Sequence, residues 1–313
     1  MDRSSVFVPK ILPQQERFLS GRRSCKGCVK SLAARLVSKV TDSADPALGG
    51  INGQSGISNS ALSANTFAHD RVNTADTLEK LVFVIDSFNA KSARQSKSSH
   101  VAVKKPVIGI DRKVLDEDYV VLQRFLKNKN ALIVCFDNES AMDTLIRRAI
   151  PRPFIQNERK HSVNEKDVRD AVRQKNIPAV AAKEDFPYMA TACPSYPFDL
   201  IEKVRRGLDS PGNAFILVLT PCPTGWMFAP GKTLDVGRRA VLTGYFPLYE
   251  VIDGVIRLTI QPKDRKPVQE YLALQKRFFT FPSDLLPAFQ TAVDEFYKDI
   301  QKTGTIHEIA TKK

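Results

Sequence analysis

Long apolar runs and paired cysteines are both missing from this sequence. No stretch approaches the roughly 18 apolar residues of a membrane-spanning helix, and the first ten residues lack the apolar core of a secretory signal. The five cysteines among 313 residues are an odd number and do not make a disulfide framework. These absences predict a soluble, cytoplasmic protein.

Histidine is also scarce, and acidic residues are fewer than basic ones. The four histidines, His69, His100, His161 and His307, show no metal-ligand spacing, and we assign none of them a catalytic role. There are 34 acidic against 47 basic residues, which leaves a net charge of +13. This balance predicts an acidic partner, namely nucleic acid, a phosphorylated ligand or an acidic protein. Nucleic acid rests on charge alone, because the interleaved aromatics of an RNA-binding sheet are missing.

What the sequence does contain is an alternation of apolar strands with amphipathic helices. The predicted strands are 81–86, 106–110, 131–136, 177–182 and 214–220, and the predicted helices are 29–40, 116–127, 139–148, 164–175 capped by Asn164, 198–208 and 232–242. This alternation predicts an α/β fold with a mostly parallel sheet and helices on both faces, which binds ligands at the carboxyl ends of its strands. Asp253–Gly254 between two β-rich runs predicts a hairpin.

The loops suggest how the chain is divided. Residues 41–65 are rich in Gly, Ser, Asn and Ala, and the region 89–105 begins with a polar, basic stretch. We expect one domain over residues 1–313, with these two regions as loop-like insertions and a helical extension at about 283–313.

Cys25 and Cys28 form a Cys-x-x-Cys pair in the loop that leads into the first helix. Such a pair supplies two of the four ligands of a zinc or iron–sulfur site, or it is two unrelated loop cysteines. Cys222 favours a metal site, because it lies between two prolines at a strand end, where a thiolate can point into a cleft. Cys135, inside an apolar strand, is predicted to be a core residue, and Cys193, in another loop, could be either.

Oxygen-bearing side chains follow the strand 131–136. Asp137, Asn138 and Glu139, with Asp143 and Thr144 further on, concentrate oxygen ligands where a magnesium diphosphate would lie in an α/β sheet. The same residues suit an ordinary helix start, with a capping Asp or Asn and an acidic first turn. Spacing alone favours the helix start.

A series of ordered motifs carries a family resemblance. They are ATACPSYP at 190–197, TPCPTGW at 220–226, GYFPLYE at 244–250 and RKPVQEY at 265–271, and CKGC at 25–28 and CFDNE at 135–139 extend the series upstream. Agreement at so many ordered positions exceeds a short-motif coincidence. On these motifs the chain resembles the β subunit of pyruvate:ferredoxin oxidoreductase, or pyruvate synthase, and its 2-oxoacid relatives.

The resemblance implies a thiamin-diphosphate-binding fold that carries the diphosphate and magnesium half of the cofactor site. It also implies a [4Fe-4S] cluster held by a Cys-x-x-Cys pair, by a third cysteine downstream and by a fourth in a segment like 220–226. Cys25, Cys28 and Cys222 match three of these ligands. The third position falls in 49–58, which contains no cysteine.

The implied diphosphate site departs from the family pattern as well. The family's Gly-Asp-Gly-Gly corresponds to residues 108–112, which keep a glycine and an aspartate in another order. The implied cofactor-binding residues are Gly109, Asp111, Asp137, Asn138 and Thr144, and the implied magnesium ligands are Asp111 and Asp143.

The resemblance implies an oxidoreductase that converts a 2-oxoacid to acyl-coenzyme A by oxidative decarboxylation and passes electrons through the iron–sulfur cluster to ferredoxin. The implied partners are an α subunit, γ and δ subunits, ferredoxin, coenzyme A and the 2-oxoacid, with no membrane. This subunit alone is expected to be inactive. The alternative is a non-catalytic, divergent paralogue that serves as a structural subunit of such a complex, since both cofactor motifs are altered.

Overall fold

The computed structural model describes residues 25–40, 49–50, 105, 107–112, 130–139, 164–173, 186–279 and 281–302. Within these ranges, seven strands form one sheet. They are β1 (Gly49–Gly50), β2 (Val107–Asp111), β3 (Leu132–Asp137), β4 (Tyr188–Ala192), β5 (Ala214–Leu219), β6 (Leu248–Ile252) and β7 (Val255–Ile260). Their order across the sheet is β1-β2-β3-β5-β4-β6-β7. Neighbours from β1 to β4 are parallel, whereas β6 is antiparallel to both β4 and β7.

Helices connect and cover these strands. They are α1 (Val29–Ser38), α2 (Glu165–Arg173), α3 (Pro197–Asp209), α4 (Pro223–Trp226), α5 (Thr233–Leu242), α6 (Gln269–Leu272) and α7 (Leu286–Gln301). Short 3-10 turns cover Pro230–Lys232, Lys276–Phe278 and Ser283–Leu285. In the part of the chain that is described, none of the helices is both long and apolar enough to cross a membrane.

The central strands are buried on both sides, which is why helices lie on both faces of the sheet. Along β3, Ile133 and Cys135 pack into one apolar cluster, and Leu132, Val134 and Phe136 pack into another. The first cluster is completed by side chains of α2, α5 and α7, and the second by side chains of α1 and α3. This arrangement confirms the predicted α/β class, the mostly parallel sheet and the core position of Cys135.

Most predicted elements within the described ranges are confirmed, with small shifts at their ends. The strands 106–110, 131–136 and 214–220 correspond to β2, β3 and β5, and the helices 29–40, 164–175, 198–208 and 232–242 correspond to α1, α2, α3 and α5. Asn164 caps α2, since its Oδ1 accepts the Asp167 N–H at 3.1 Å. The predicted hairpin joins β6 to β7, and Asp253 and Gly254 have φ values of 49° and 79°.

Other elements differ from the sequence patterns or cannot be compared with them. The patterns miss β4, a five-residue strand that is held in place by pairing with β5 and β6. The predicted strands 81–86 and 177–182 and the predicted helix 116–127 lie outside the described residues. So do residues 140–148 of the predicted helix 139–148 and most of 41–65 and 89–105. At the C-terminal end, a 3-10 turn leads into α7, with Pro287 in its first turn. The single-domain assignment stays a prediction.

Candidate functional site

Cys25 and Cys28 lie at the two ends of a tight turn just before α1. The Cys28 N–H donates to the Cys25 carbonyl oxygen at 3.1 Å, which closes the turn. Gly27, inside the turn, has a φ of +74°, a conformation that residues with a Cβ rarely adopt. A Cβ at Gly27 would also lie 2.7 Å from the carbonyl oxygen of Pro230. The turn therefore depends on glycine and packs closely against the chain after α4.

Cys222 lies between β5 and α4 and is half-buried. Its sulfur accepts a hydrogen bond from the Gly225 N–H at 3.3 Å. Burial raises the pKa of the Cys222 thiol; the Gly225 bond opposes this rise, and negative charge on Cys28 and Cys25 adds to it. Charge on the Cys25–Cys28 turn therefore reaches Cys222, although the two segments are far apart in the sequence.

Thr233, at the start of α5, ties the two cysteine-bearing segments together. Its hydroxyl lies 3.1 Å from the Gly27 carbonyl oxygen and 2.7 Å from the Pro230 carbonyl oxygen. The Cys25–Cys28 turn therefore lies beside the chain that follows Cys222, but in the described ranges the three cysteines are not arranged to hold a metal ion, and the iron–sulfur site stays a prediction. The segment implied to hold the remaining ligand, 49–58, is described only at Gly49 and Gly50, which form β1.

Cys193 occupies a different environment, in the core under α5. It is 1% exposed, and a Cβ at Gly237 would lie 2.9 Å from its sulfur. Burial raises the pKa of Cys193 to about 11, against hydrogen bonds to Ser195 that lower it. At neutral pH this cysteine is a protonated thiol packed in the core, and metals bind the thiolate rather than the thiol.

Asp111, Asp137 and Asn138 lie at the carboxyl edge of the parallel strands, and Gly109 lies inside β2, paired with Gly50 and Val134. Asp111 pairs with Phe136 in the register of β2 and β3, so the end of β2 is next to Asp137 and Asn138. Asp137 is 4% exposed, and its Oδ1 accepts the Glu139 N–H at 2.9 Å. Its Oδ2 lies 3.5 Å from Nη1 of Arg112. This carboxylate is positioned by a loop N–H and a neighbouring cation.

The end of β5 contributes a second polar group to this edge. The Thr220 N–H donates to the Asp137 carbonyl oxygen at 2.7 Å. The Thr220 hydroxyl is buried and, among the described residues, has no hydrogen-bond partner. A buried donor beside a strand end suits an anionic ligand such as a diphosphate, because binding would satisfy it. Thr220 was not among the residues singled out for this site by the sequence.

Two predicted residues of the diphosphate site, Asp143 and Thr144, lie outside the described residues, and Asp111 is described only by its backbone. No group of three or more His, Cys, Asp or Glu side chains in the described ranges is arranged to hold a metal ion. The magnesium site therefore stays a prediction.

Sequence patterns also miss a buried arginine in this region. Arg277 follows α6 and is 5% exposed, and it contacts both Glu139 and Trp226. Its segment, LQKRFF, is an ordinary mixture of basic and apolar residues. The only signal that could have found it is its closeness to the RKPVQEY motif.

Sequence comparison supplies several related proteins, although no protein family model matches the chain. It is 32% identical over 286 residues to pyruvate synthase subunit PorB of Methanocaldococcus jannaschii, covering 90% of this chain and 96% of that protein. Identity to PorB of Methanothermobacter thermautotrophicus is 31% over 313 residues, covering 93% and 99% of the two chains. The ketoisovalerate oxidoreductase subunit VorB of Pyrococcus abyssi is 28% identical, with 94% and 96% coverage.

Among solved structures, a chain of the 2-oxoglutarate:ferredoxin oxidoreductase from Magnetococcus marinus, with 2-oxoglutarate, coenzyme A and succinyl-CoA bound, has a TM-score of 0.36 and 12% identity. The match covers 73% of this chain and 81% of that one. A likeness this low carries no conclusion about the site.

Proposed function

The chain belongs to the family of the PorB and VorB subunits of 2-oxoacid oxidoreductases, and we propose that it carries a [4Fe-4S] cluster and the diphosphate half of a thiamin diphosphate site. The reaction is the oxidative decarboxylation of a pyruvate-type 2-oxoacid to acyl-coenzyme A. The electrons leave through the cluster to ferredoxin.

The observation that supports this function best is the contact between the Cys25–Cys28 turn and the chain that follows Cys222, where Gly27 lies against Pro230 and Thr233. Gly27 and Thr233, which make this contact, are 206 residues apart in the sequence. The Cys222 sulfur already accepts a backbone N–H, as cluster sulfurs do, which helps to set a reduction potential. In this proposal Cys25, Cys28 and Cys222 bind iron, and the fourth ligand lies outside the described residues.

The carboxyl edge of the sheet supports the cofactor half of the proposal. When bound, thiamin diphosphate would supply the carbon nucleophile for decarboxylation, and the cluster would accept electrons one at a time. Asp111 and Asp143 would hold magnesium, and Asp137, Asn138 and Thr144 would contact the magnesium diphosphate. Gly109 would let the backbone approach the phosphates. The Thr220 hydroxyl would donate to a phosphate oxygen.

We also propose a cytoplasmic complex with an α subunit and with γ and δ subunits. A reducing compartment suits free thiols and an iron–sulfur cluster. The net charge of +13 would attract the acidic partners of such an enzyme, coenzyme A and an acidic ferredoxin. Electron transfer to ferredoxin should then slow as ionic strength rises.

Two measurements test this function. The full chain, reconstituted anaerobically with iron and sulfide, should bind about four iron atoms. The assembled complex should contain thiamin diphosphate and reduce ferredoxin only when pyruvate and coenzyme A are both present. A chain that takes up no iron, in a complex without thiamin diphosphate, would instead establish the non-catalytic structural subunit, which the comparisons do not support.

A further inference from the structure

Arg277 is a buried cation that contacts both loops of the proposed site. Its side chain is 0% exposed, and its Nη2 donates to Glu139 Oε2 at 2.6 Å. The Glu139 side chain is itself 4% exposed, so this ion pair is shielded from water. On its other side, the guanidinium carbon lies 3.7 Å from the centre of the Trp226 ring. One side chain thus bridges the loop after β3 and the helix α4.

Trp226 closes these contacts into a ring. Its Nε1 donates to the Asn138 carbonyl oxygen at 2.6 Å, one residue before the Glu139 that Arg277 binds. Its own N–H donates to the Cys222 carbonyl oxygen at 2.8 Å. Glu139 has a φ of +52°, which a residue with a side chain keeps only where its surroundings fix it. The Arg277 and Trp226 contacts supply that restraint.

Arg277 is well fixed in its own segment. Its Nε donates to Gln275 Oε1 at 2.7 Å, and its Nη2 lies 3.3 Å from the Tyr271 hydroxyl. The N–H of the preceding residue, Lys276, donates to the Met227 carbonyl oxygen at 3.4 Å, at the end of α4. A planar guanidinium directs its donors in fixed directions and also stacks its flat face on an aromatic ring, and an ammonium does not combine the two.

We propose that Arg277 is a positioning residue that locks the loop bearing Asp137 and Asn138 to the segment bearing Cys222. The identity of the two sites rests on the proposed function, but the link between the two loops does not. The consequence is that a change at Glu139 is felt at Cys222, which lies on another loop.

The test measures alkylation of Cys222 by iodoacetamide in the cluster-free full chain. Cleavage after Arg206 and Lys232 gives a peptide in which Cys222 is the only cysteine, so mass spectrometry reads it separately. Arg277→Lys keeps the positive charge and loses the planar guanidinium. Glu139→Gln keeps the shape of the side chain and loses its negative charge. Each should raise the Cys222 alkylation rate roughly tenfold through local opening. The double variant should exceed neither single variant, because both break one link.

Arg265→Lys is the matched control. Arg265 also has an aromatic ring, Tyr297, at 4.6 Å and a carboxylate partner, Asp294, at 2.6 Å, but these lie on α7, away from the cysteines. Its Cys222 rate should equal that of the original chain. The link is disproved if Arg277→Lys and Glu139→Gln leave the rate unchanged, or if Arg265→Lys raises it equally. If Arg277→Lys does not fold, Glu139→Gln alone decides by the same criterion.

Cofactor binding separates this proposal from the proposed function. In the assembled complex, Arg277→Lys should weaken magnesium–thiamin diphosphate binding roughly 10-fold to 100-fold, the usual cost of losing a residue that orients ligands. If the original complex binds no thiamin diphosphate, the proposed function fails while the alkylation result still judges the link. If the original complex and the Arg277→Lys complex bind magnesium–thiamin diphosphate equally well, Arg277 does not position the loop that bears Asp137 and Asn138, whatever its effect on Cys222.

Discussion

The cysteine site and the carboxyl edge of the sheet are constructed in different ways. Cys25 is exposed, and Cys28 and Cys222 are half-buried, at positions set by a glycine turn and by backbone hydrogen bonds. Asp137, at the edge, is buried between a loop N–H and the Arg112 guanidinium. The first site is therefore sensitive to backbone shape and the second to charge, because buried charges depend on their partners. Apart from the Arg277–Glu139 link between them, each site should fail under substitutions that the other tolerates.

The largest expected effect is the loss of iron when a cysteine ligand is changed. Cys222→Ser should lower the iron content of the reconstituted chain roughly tenfold, since a hydroxyl is a poor replacement for a thiolate. Cys193→Ser is the matched control and should keep its iron, because Cys193 is a core thiol under α5. Iron analysis and the visible absorption of the cluster measure both. Equal loss in the two variants would place Cys193 in the site and remove the contrast.

At the carboxyl edge, Asp137→Asn should weaken magnesium–thiamin diphosphate binding by the assembled complex roughly 10-fold to 100-fold. The amide keeps the shape but loses the charge that faces Arg112 at 3.5 Å and that would face a cation. Calorimetric titration measures the affinity, and the iron content should stay unchanged. Asp235→Asn, on the exposed surface of α5, is the control. An unaltered affinity in Asp137→Asn would mean that Asp137 only caps its own loop.

The two sites also differ in how far sequence alone could predict them. Cys222 was found because a cysteine between prolines at a strand end is a local feature, and the family motifs paired it with Cys25 and Cys28. The Arg277–Glu139 pair was missed, because it joins segments that no periodicity or spacing relates. The strand β4 was missed for a similar reason: its pairing with β5 and β6, rather than its composition, makes it a strand.

The effect of backbone shape can be measured on glycine. Gly27→Ala should lower the free energy of unfolding by roughly 1–3 kcal/mol, because φ is +74° and the added Cβ would meet the Pro230 carbonyl oxygen at 2.7 Å. Gly231 follows Pro230, and a Cβ added there would meet no atom within 4 Å. Gly231→Ala should therefore change the free energy of unfolding by no more than about 0.5 kcal/mol. Denaturant unfolding of the two variants gives both values. Equal destabilisation would show that the turn does not depend on Gly27.

The smallest expected effect is a pH dependence at Cys222. Burial raises its pKa, and the Cys28 and Cys25 charges add to that rise. A free thiol has a pKa of about 8.5, so its alkylation rate levels off above that pH. In the cluster-free chain, the alkylation rate of Cys222 should keep rising at higher pH. The pKa of Cys222 is higher in the folded chain than in the unfolded chain. Between these two pKa values the folded chain therefore binds more protons, and the free energy of unfolding falls as pH rises through that range.

The same raised pKa should make cluster assembly easier at higher pH, since iron binds the thiolate and each ligand must release a proton. Reconstitution at a series of pH values measures this, with iron uptake as the readout. The Cys193 peptide, residues 184–203, supplies an internal reference in the alkylation series, because burial raises the pKa of Cys193 to about 11 and protects it. A Cys222 profile that levels off with the free thiol would mean that neither burial nor the neighbouring cysteines raise the pKa of Cys222.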